Sequence, residues 1–258
     1  MFPYRDENET RRTPYVTVLF IALNVLAWVF IQGAGMPRPL AESVCDRGLI
    51  AAELTGAVRP GTSIDVDRRL ICETDPGRQP LNLLTSMFLH GSWMHLIGNM
   101  WFFWIFGNNI EDSMGHARFT VFYLLGGFAA ALLQVFMNPT SLIPMVGASG
   151  AISGIMGAYL VLYPRVKVYC LLPLGFFITT VALPAWMMLG YWMLLQFVGG
   201  LGAIGREGGG VAFWAHVGGF AAGFLLIKLF ARPDYIQAHR AHWRPRRAGW
   251  GQSSGDEW

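Results

Sequence analysis

FTVFYLLGGFAAALLQVFMNPTSLIPMVGASGAISGIMGAYLVLYP, residues 119–164, contains no Asp, Glu, Lys or Arg. The stretch 168–204, a few residues further on, contains none either. Helices of a soluble globule need a polar face, whereas uncharged runs of this length suit a hydrocarbon surrounding. The whole chain agrees: of its 258 residues 53% are hydrophobic and only 14% charged, against about 25% charged in ordinary soluble domains. The sequence describes a multi-span membrane protein.

Working outward from that stretch, a hydrocarbon core about 30 Å thick takes roughly 20 helical residues per crossing. The chain then offers six spans, at 15–33, 93–109, 119–137, 148–163, 174–198 and 211–227. No alternating pattern of a transmembrane barrel is present, so helices are the form that satisfies every backbone group in lipid. The expected fold is an all-α, six-helix membrane bundle. The fifth span is the irregular one: 168–198 is too long for one upright crossing, and Pro173 and Pro184 interrupt it. It reads as an entry segment followed by a tilted or kinked helix. Residues 1–13 form an N-terminal arm, 14–232 the membrane domain with a long outer loop at about 35–81, and 233–258 a basic tail expected to be disordered.

Six crossings put both termini on one side. With the termini inside, the inner segments hold 12 of the 19 basic residues, and the first outer loop has a net charge of −1. The positive-inside rule therefore places both termini in the cytoplasm, and a bacterial inner membrane is the expected location. Arg11 and Arg12 ahead of the first apolar run resemble the start of a signal peptide. The run is long and lacks a clean cleavage site, so it reads as an anchor. Basic residues from Arg240 to Arg247 read as a solvated tail near anionic lipid, not as a nucleic-acid patch. Cys45 and Cys72 both lie in the outer loop, where an oxidising compartment would let them pair, and Cys170 reads as a buried apolar residue.

With this orientation a polar layer emerges. Spans two, four and six run from outside to inside, and each carries hydrogen-bonding side chains in its first turns: His95 and Asn99, Ser149, and His216. His95 and Asn99 are four apart and share a helix face. Each has a blander reading alone. Gly150 and Gly154 around Ser149, and Gly219 and Gly223 after His216, are small-residue faces that suit close helix packing; Asn99 suits interhelical bonding. His90 and His116, near span ends, mark interfaces. Together, though, four polar groups at one shallow depth are cheapest in lipid when they converge.

Such a set supports nucleophilic acyl transfer. A serine hydroxyl becomes reactive when a neutral histidine within hydrogen-bond reach takes its proton. An Asn amide, a His N–H and the Ser149 backbone N–H supply donors for the oxyanion. No Asp or Glu lies inside any span, so the pattern is a Ser–His dyad, unless Glu73, Asp75 or Glu207 dips in from an outer loop. The sequence Gly147-Ala148-Ser149-Gly150 lacks the Gly at 151 that a nucleophile elbow needs. A zinc site on His90, His95 and His216 is disfavoured because no carboxylate or thiolate joins them. No metal or cofactor is expected.

These residues resemble those of the rhomboid intramembrane serine proteases, over roughly residues 13–230. The similarity lies in Thr13-Pro-Tyr-Val-Thr, Leu23-Asn24-Val25, Phe88-Leu-His-Gly-Ser-Trp-Met-His95-Leu-Ile-Gly-Asn99-Met, Phe106-Gly with Glu111 and Gly115, Gly147-Ala-Ser149-Gly150 and Ala215-His216-Val-Gly-Gly219-Phe-Ala-Ala-Gly223. The resemblance implies Ser149 as nucleophile and His216 as general base. It implies His95, Asn99 and the backbone at Ala148 and Ser149 as oxyanion hole, His90 in a supporting role, and Gly219 and Gly223 pressing span six on span four. Two departures stand out. Ser153 occupies the place where some members carry a tyrosine against the catalytic histidine, and the first outer loop lacks a Trp-Arg pair found in some.

Hydrolysis in lipid needs water, which shallow placement supplies through a cavity open to the outside. The Gly-rich stretch 199–210 reads as a lid over it, and the fifth span as a side gate. Expected substrates are membrane-protein segments whose helix is weakened near its outer end, and the resemblance adds a small side chain before the cleaved bond. The rival is a non-catalytic rhomboid-like adaptor binding transmembrane helices with the same cavity. A transporter is disfavoured because no charged residue lies mid-span.

Overall fold

The computed structural model describes residues 2–67, 70–74, 77, 79–175, 177–203 and 211–242. The elements run in the order β1 (Phe2–Asp6), α1 (Tyr15–Leu26, continued by a π-helical turn Ala27–Ile31), α2 (Pro37–Arg47), α3 (Ala51–Thr55), β2 (Ser63–Asp67), β3 (Leu70–Glu73), α4 (Asn82–Thr85), α5 (Trp93–Met114), α6 (His116–Met137), α7 (Ser149–Leu162), β4 (Lys167–Leu174), β5 (Phe177–Pro184), α8 (Ala185–Ala203), α9 (Phe213–Phe230) and α10 (Pro233–His242). The molecule is mostly helical. By length and composition α6 and α9 suffice to cross a membrane, and Tyr15–Ile31 and Ser149–Leu162 are shorter apolar helices.

α7 is the central helix. Every residue from Gly150 to Tyr159 is buried, and α5, α6, α8 and α9 all pack against it. A helix apolar on every side, with small residues in place of bulky ones, is suited to that position. Around it Phe103, Phe106, Phe119, Tyr123, Ile155 and Tyr159 form the core. The outward faces of α1, α6, α8 and α9 expose large apolar side chains such as Phe30, Phe136, Leu194 and Leu225.

α5 runs past the expected end at 109 to Met114, because its last turn is a binding site for the N-terminal arm. Glu111 accepts hydrogen bonds from the backbone N–H of Val16 (2.9 Å) and Thr17 (2.8 Å) and from the Thr17 hydroxyl (2.7 Å), capping the start of α1 from another helix. Asp112 does the same for the backbone N–H groups of Arg11 (2.9 Å) and Arg12 (3.2 Å). Gly115, at φ +82°, then turns the chain into α6.

Two features differ from the sequence expectation. The segment 167–184 is not the start of a kinked helix but a β-hairpin: β4 pairs antiparallel with β5, and β1 adds to the other edge of β4. Gly175, at φ +62°, makes the turn, and the β-branched and aromatic run from Phe177 to Val181 favours an extended chain. Pro184 closes the strand, and the helix starts only at Ala185. Cys170 is buried on β4 as a free thiol.

Secondly, the tail is not disordered from 233. α10 starts on Pro233, where a missing N–H costs nothing. Its His239 is buried, with the ring 2.6 Å from Asp112 Oδ2 and 2.8 Å from Asn8 Oδ1. That contact ties the C-terminal helix to the N-terminal arm, and residues 243–258 lie outside the described part. In the segment between α1 and α5, Cys45 and Cys72 form a disulfide. The segment itself docks on the bundle, with Leu49 bridged to Met145 and Asn82 donating to Gly48 O at 3.0 Å. Arg68, Arg69, Asp75 and Arg78 lie outside the described residues.

Asp6, at the end of β1, accepts hydrogen bonds from the Tyr159 hydroxyl (2.6 Å) and Asn109 Nδ2 (2.9 Å). Burial outweighs these bonds and pushes its carboxyl up to about 7. A carboxyl whose folded value is raised contributes stability in full below the unfolded value of 3.8 and loses it as pH climbs through about 7. The unfolding temperature of the purified protein should therefore fall between pH 4 and pH 7 by more than that of Asp6→Asn. Equal slopes for the two proteins would contradict this placement of Asp6.

Candidate active site

Ser149 is the first residue of α7, preceded by Gly147 at φ +127°. The first N–H groups of a helix have no intrahelical partner and carry the positive end of its dipole, so the Ser149 backbone faces any anion near its side chain as a donor. His216 sits in the first turn of α9 (Phe213–Phe230). Its Nε2 lies 2.8 Å from Ser149 Oγ. This separation is a direct hydrogen bond between residues 67 apart in sequence. Both side chains are partly exposed.

The α7–α9 crossing that sets this distance is built from glycine. A Cβ on Gly219 or Gly223 would land on the carbonyl oxygen of Gly150 or Gly154, and one on Gly157 would land on that of Phe220. Backbone therefore touches backbone along the seam, the close approach expected for Gly219 and Gly223. Gly150 is tight on its other side as well, with Ala130 Cβ 2.6 Å from where its own Cβ would stand.

His95 and Asn99, on α5, reach the same place from the other side of Gly147. A Cβ on Gly147 would sit 2.8 Å from His95 Nε2 and 3.4 Å from Asn99 Nδ2. Only a residue without a side chain leaves room for both. His95 Nδ1 accepts from the Gly91 N–H (3.4 Å), which leaves the proton of the neutral ring on Nε2, the atom over Gly147. Asn99 is buried, and its Nδ2 has no hydrogen-bond partner among the described residues. A buried amide donor without an acceptor is costly unless a ligand or water uses it. Ala148 is fully buried between these groups. The structure thus brings together Ser149, His216, His95, Asn99 and the 147–150 backbone.

His90 lies behind His95, ring centroids 5.2 Å apart, fully buried, and its two ring nitrogens have no hydrogen-bond partner among the described residues. Its backbone is clamped by Gln32, which accepts from His90 N–H and donates to His90 O, both at 2.7 Å. His116 is remote, its Nδ1 2.6 Å from Glu111 Oε1. Ser153 donates to Ser149 O (2.6 Å), and the hydrogen bonds of the His216 ring go elsewhere.

Sequence reading missed the groups around His216. Gln196 on α8 places Oε1 2.7 Å from His216 Nδ1, and the Trp192 ring lies against the imidazole with centroids 5.6 Å apart. Gln134 on α6 accepts from the Ala215 N–H (3.1 Å), fixing the backbone next to His216. Of the carboxylates considered as a third member, Glu73 is exposed on β3. Asp75, Glu207 and most of the expected lid, 204–210, lie outside the described residues. No group of three metal-ligating side chains occurs among the described residues.

A family profile described as the rhomboid domain matches residues 77–233, more than half of the chain, and includes His95, Asn99, Ser149, Gln196 and His216. The chain belongs to the rhomboid family. As a rhomboid it is an integral membrane protein. It is 32% identical over 161 residues to RHOMBOID-like protein 4 of Arabidopsis thaliana, covering 62% of this chain and 36% of that protein. It is 24% identical over 167 residues to Rhomboid protein 1, mitochondrial, of Saccharomyces cerevisiae, covering 62% and 44%. With Rhomboid-like protease 5 of Toxoplasma gondii it shares 31% over 145 residues, 54% of this chain and 15% of that one. The chain thus spans less than half of the length of these relatives. None of the three is bacterial, and the yeast protein is named as mitochondrial, so the bacterial inner membrane expected from the sequence gains no support.

Proposed function

We propose that this rhomboid is an intramembrane serine endopeptidase that cleaves transmembrane segments of membrane proteins near their outer end through a Ser149–His216 dyad. What carries this function is the 2.8 Å contact between Ser149 Oγ and His216 Nε2 at the end of two helices, with the Asn99 Nδ2 donor, unpartnered among the described residues, beside it.

In this reading α1, α5, α6, α7, α8 and α9 are six crossings with both termini cytoplasmic. The dyad lies just under the outer surface, where water reaches it. His216 takes the Ser149 proton as Oγ attacks the carbonyl carbon of the scissile peptide. The oxyanion of the tetrahedral intermediate accepts from Asn99 Nδ2, His95 Nε2 and the Ser149 backbone N–H. His216 then protonates the leaving amine, and an acyl-enzyme on Ser149 is hydrolysed by water activated in the same way. Because a helix hides its amides, the substrate must unwind to reach the site, so segments with Gly or other helix-weakening residues near the outer end are the expected substrates.

The test is incubation of the purified chain in vesicles with such a segment. Cleavage within the transmembrane stretch is expected, and binding without cleavage would instead mark an adaptor. Asn99→Ala should lower kcat by about 10²–10³, the usual effect of removing one oxyanion donor. Unchanged turnover in that variant would remove Asn99 from the oxyanion hole.

A further inference from the structure

A serine–histidine dyad without a carboxylate leaves open what sets the histidine's tautomer. A neutral imidazole has one N–H; if it sat on Nε2 the ring would donate to Ser149 and could not act as its base. We propose that Gln196 is the positioning residue that holds His216 as a base, its side-chain carbonyl accepting the Nδ1–H so that the Nε2 lone pair faces the Ser149 hydroxyl.

Three observations meet here. Gln196 Oε1 lies 2.7 Å from Nδ1 while Ser149 Oγ lies 2.8 Å from Nε2, so the two ring nitrogens are occupied on opposite sides. Trp192, one turn earlier on the same helix, lies against the imidazole and limits its rotation. Ser153, where a tyrosine stands in some relatives, is turned back onto its own helix. α8 thus supplies both the hydrogen bond and the ring contact that α7 does not. An amide holds the ring without the charge that a carboxylate would keep on this half-buried position. Among the described residues, His95, from α5, is the other titratable group that bears on His216.

The inference rests on the dyad proposed above, and its experiment separates the two. Gln196→Met keeps the length of the side chain and removes the acceptor. In the purified full-length protein it should lower both kcat and the rate of acylation by a fluorophosphonate probe about tenfold to a hundredfold, with KM and the unfolding temperature nearly unchanged. That is less than the ~10⁴ seen when an orienting carboxylate is lost. Gln196→Glu should recover turnover and move the acidic limb of the pH profile of kcat to higher pH, because a carboxylate beside the ring favours its charged form. A side chain that only fills space would leave that limb where it was. Should Gln196→Met acylate at the wild-type rate while Ser149→Ala is inert, the assignment of Gln196 is wrong and the dyad stands. If Gln196→Glu does not fold, wild-type kinetics of Gln196→Met alone overturn the proposal. Cleavage persisting in Ser149→Ala overturns the dyad itself.

Discussion

His216→Ala should be as inactive as Ser149→Ala, and the double variant should be no worse than either. In serine proteases, loss of the nucleophile or of its base costs on the order of 10⁶ in kcat, because the two act as one unit. The geometry predicts the same coupling here: His216 Nε2 makes its short contact with Ser149 Oγ, and the described part of the site offers the serine no alternative base. His95 is positioned as a donor, since its Nδ1 already accepts from Gly91. Residual cleavage above background in His216→Ala, sensitive to Ser149→Ala, would mean that another group takes the proton. All three variants should retain the wild-type unfolding temperature, since each truncates a partly exposed side chain.

The second large effect is on stability. Gly223→Val should lower the unfolding temperature in detergent by roughly 6–12 °C, the shift that about 3 kcal/mol gives in a domain of this size. Overpacking usually costs about 1–3 kcal/mol because side chains yield by changing rotamer. At Gly223 the obstacle is the Gly154 backbone, which has no rotamer to change. The helices must separate instead, and the separation propagates to the end of the seam, where Ser149 and His216 meet. Activity should therefore fall further than the folded fraction does. Gly190→Ala on α8 is the control: nothing lies within 4 Å of the added methyl. That variant should be unchanged or more stable by about 0.4–1 kcal/mol. Equal melting of Gly223→Val and the wild type would contradict the tight α7–α9 crossing.

The clustering of His95, Asn99, Ser149 and His216 was legible in the sequence because the expected span parity puts all four at one depth. Counting only the first turns of the inward-running spans hid the rest of it. Gln32 follows the π-helical turn that ends α1, Gln134 stands near the C-terminal end of α6 and Gln196 in the second half of α8, and they bond to His90, Ala215 and His216. A lone amide near the end of an apolar helix was the available signal, since such a group in lipid needs a partner. The hairpin at 167–184 was not legible for a different reason. A continuous apolar run has no period by which a buried strand can be told from a buried helix, and only the β-branched residues and Gly175 favour the strand. The order in α10 was hidden because polar composition does not reveal a single buried contact such as that of His239.

The central claim is that Ser149 is a nucleophile activated by His216. A fluorophosphonate probe followed by peptide mass analysis tests it without knowledge of the substrate. The wild-type chain should carry one phosphonyl group, located on Ser149, with labelling lost in both Ser149→Ala and His216→Ala. A folded wild-type protein that stays unlabelled, or a label that persists in Ser149→Ala, would contradict it.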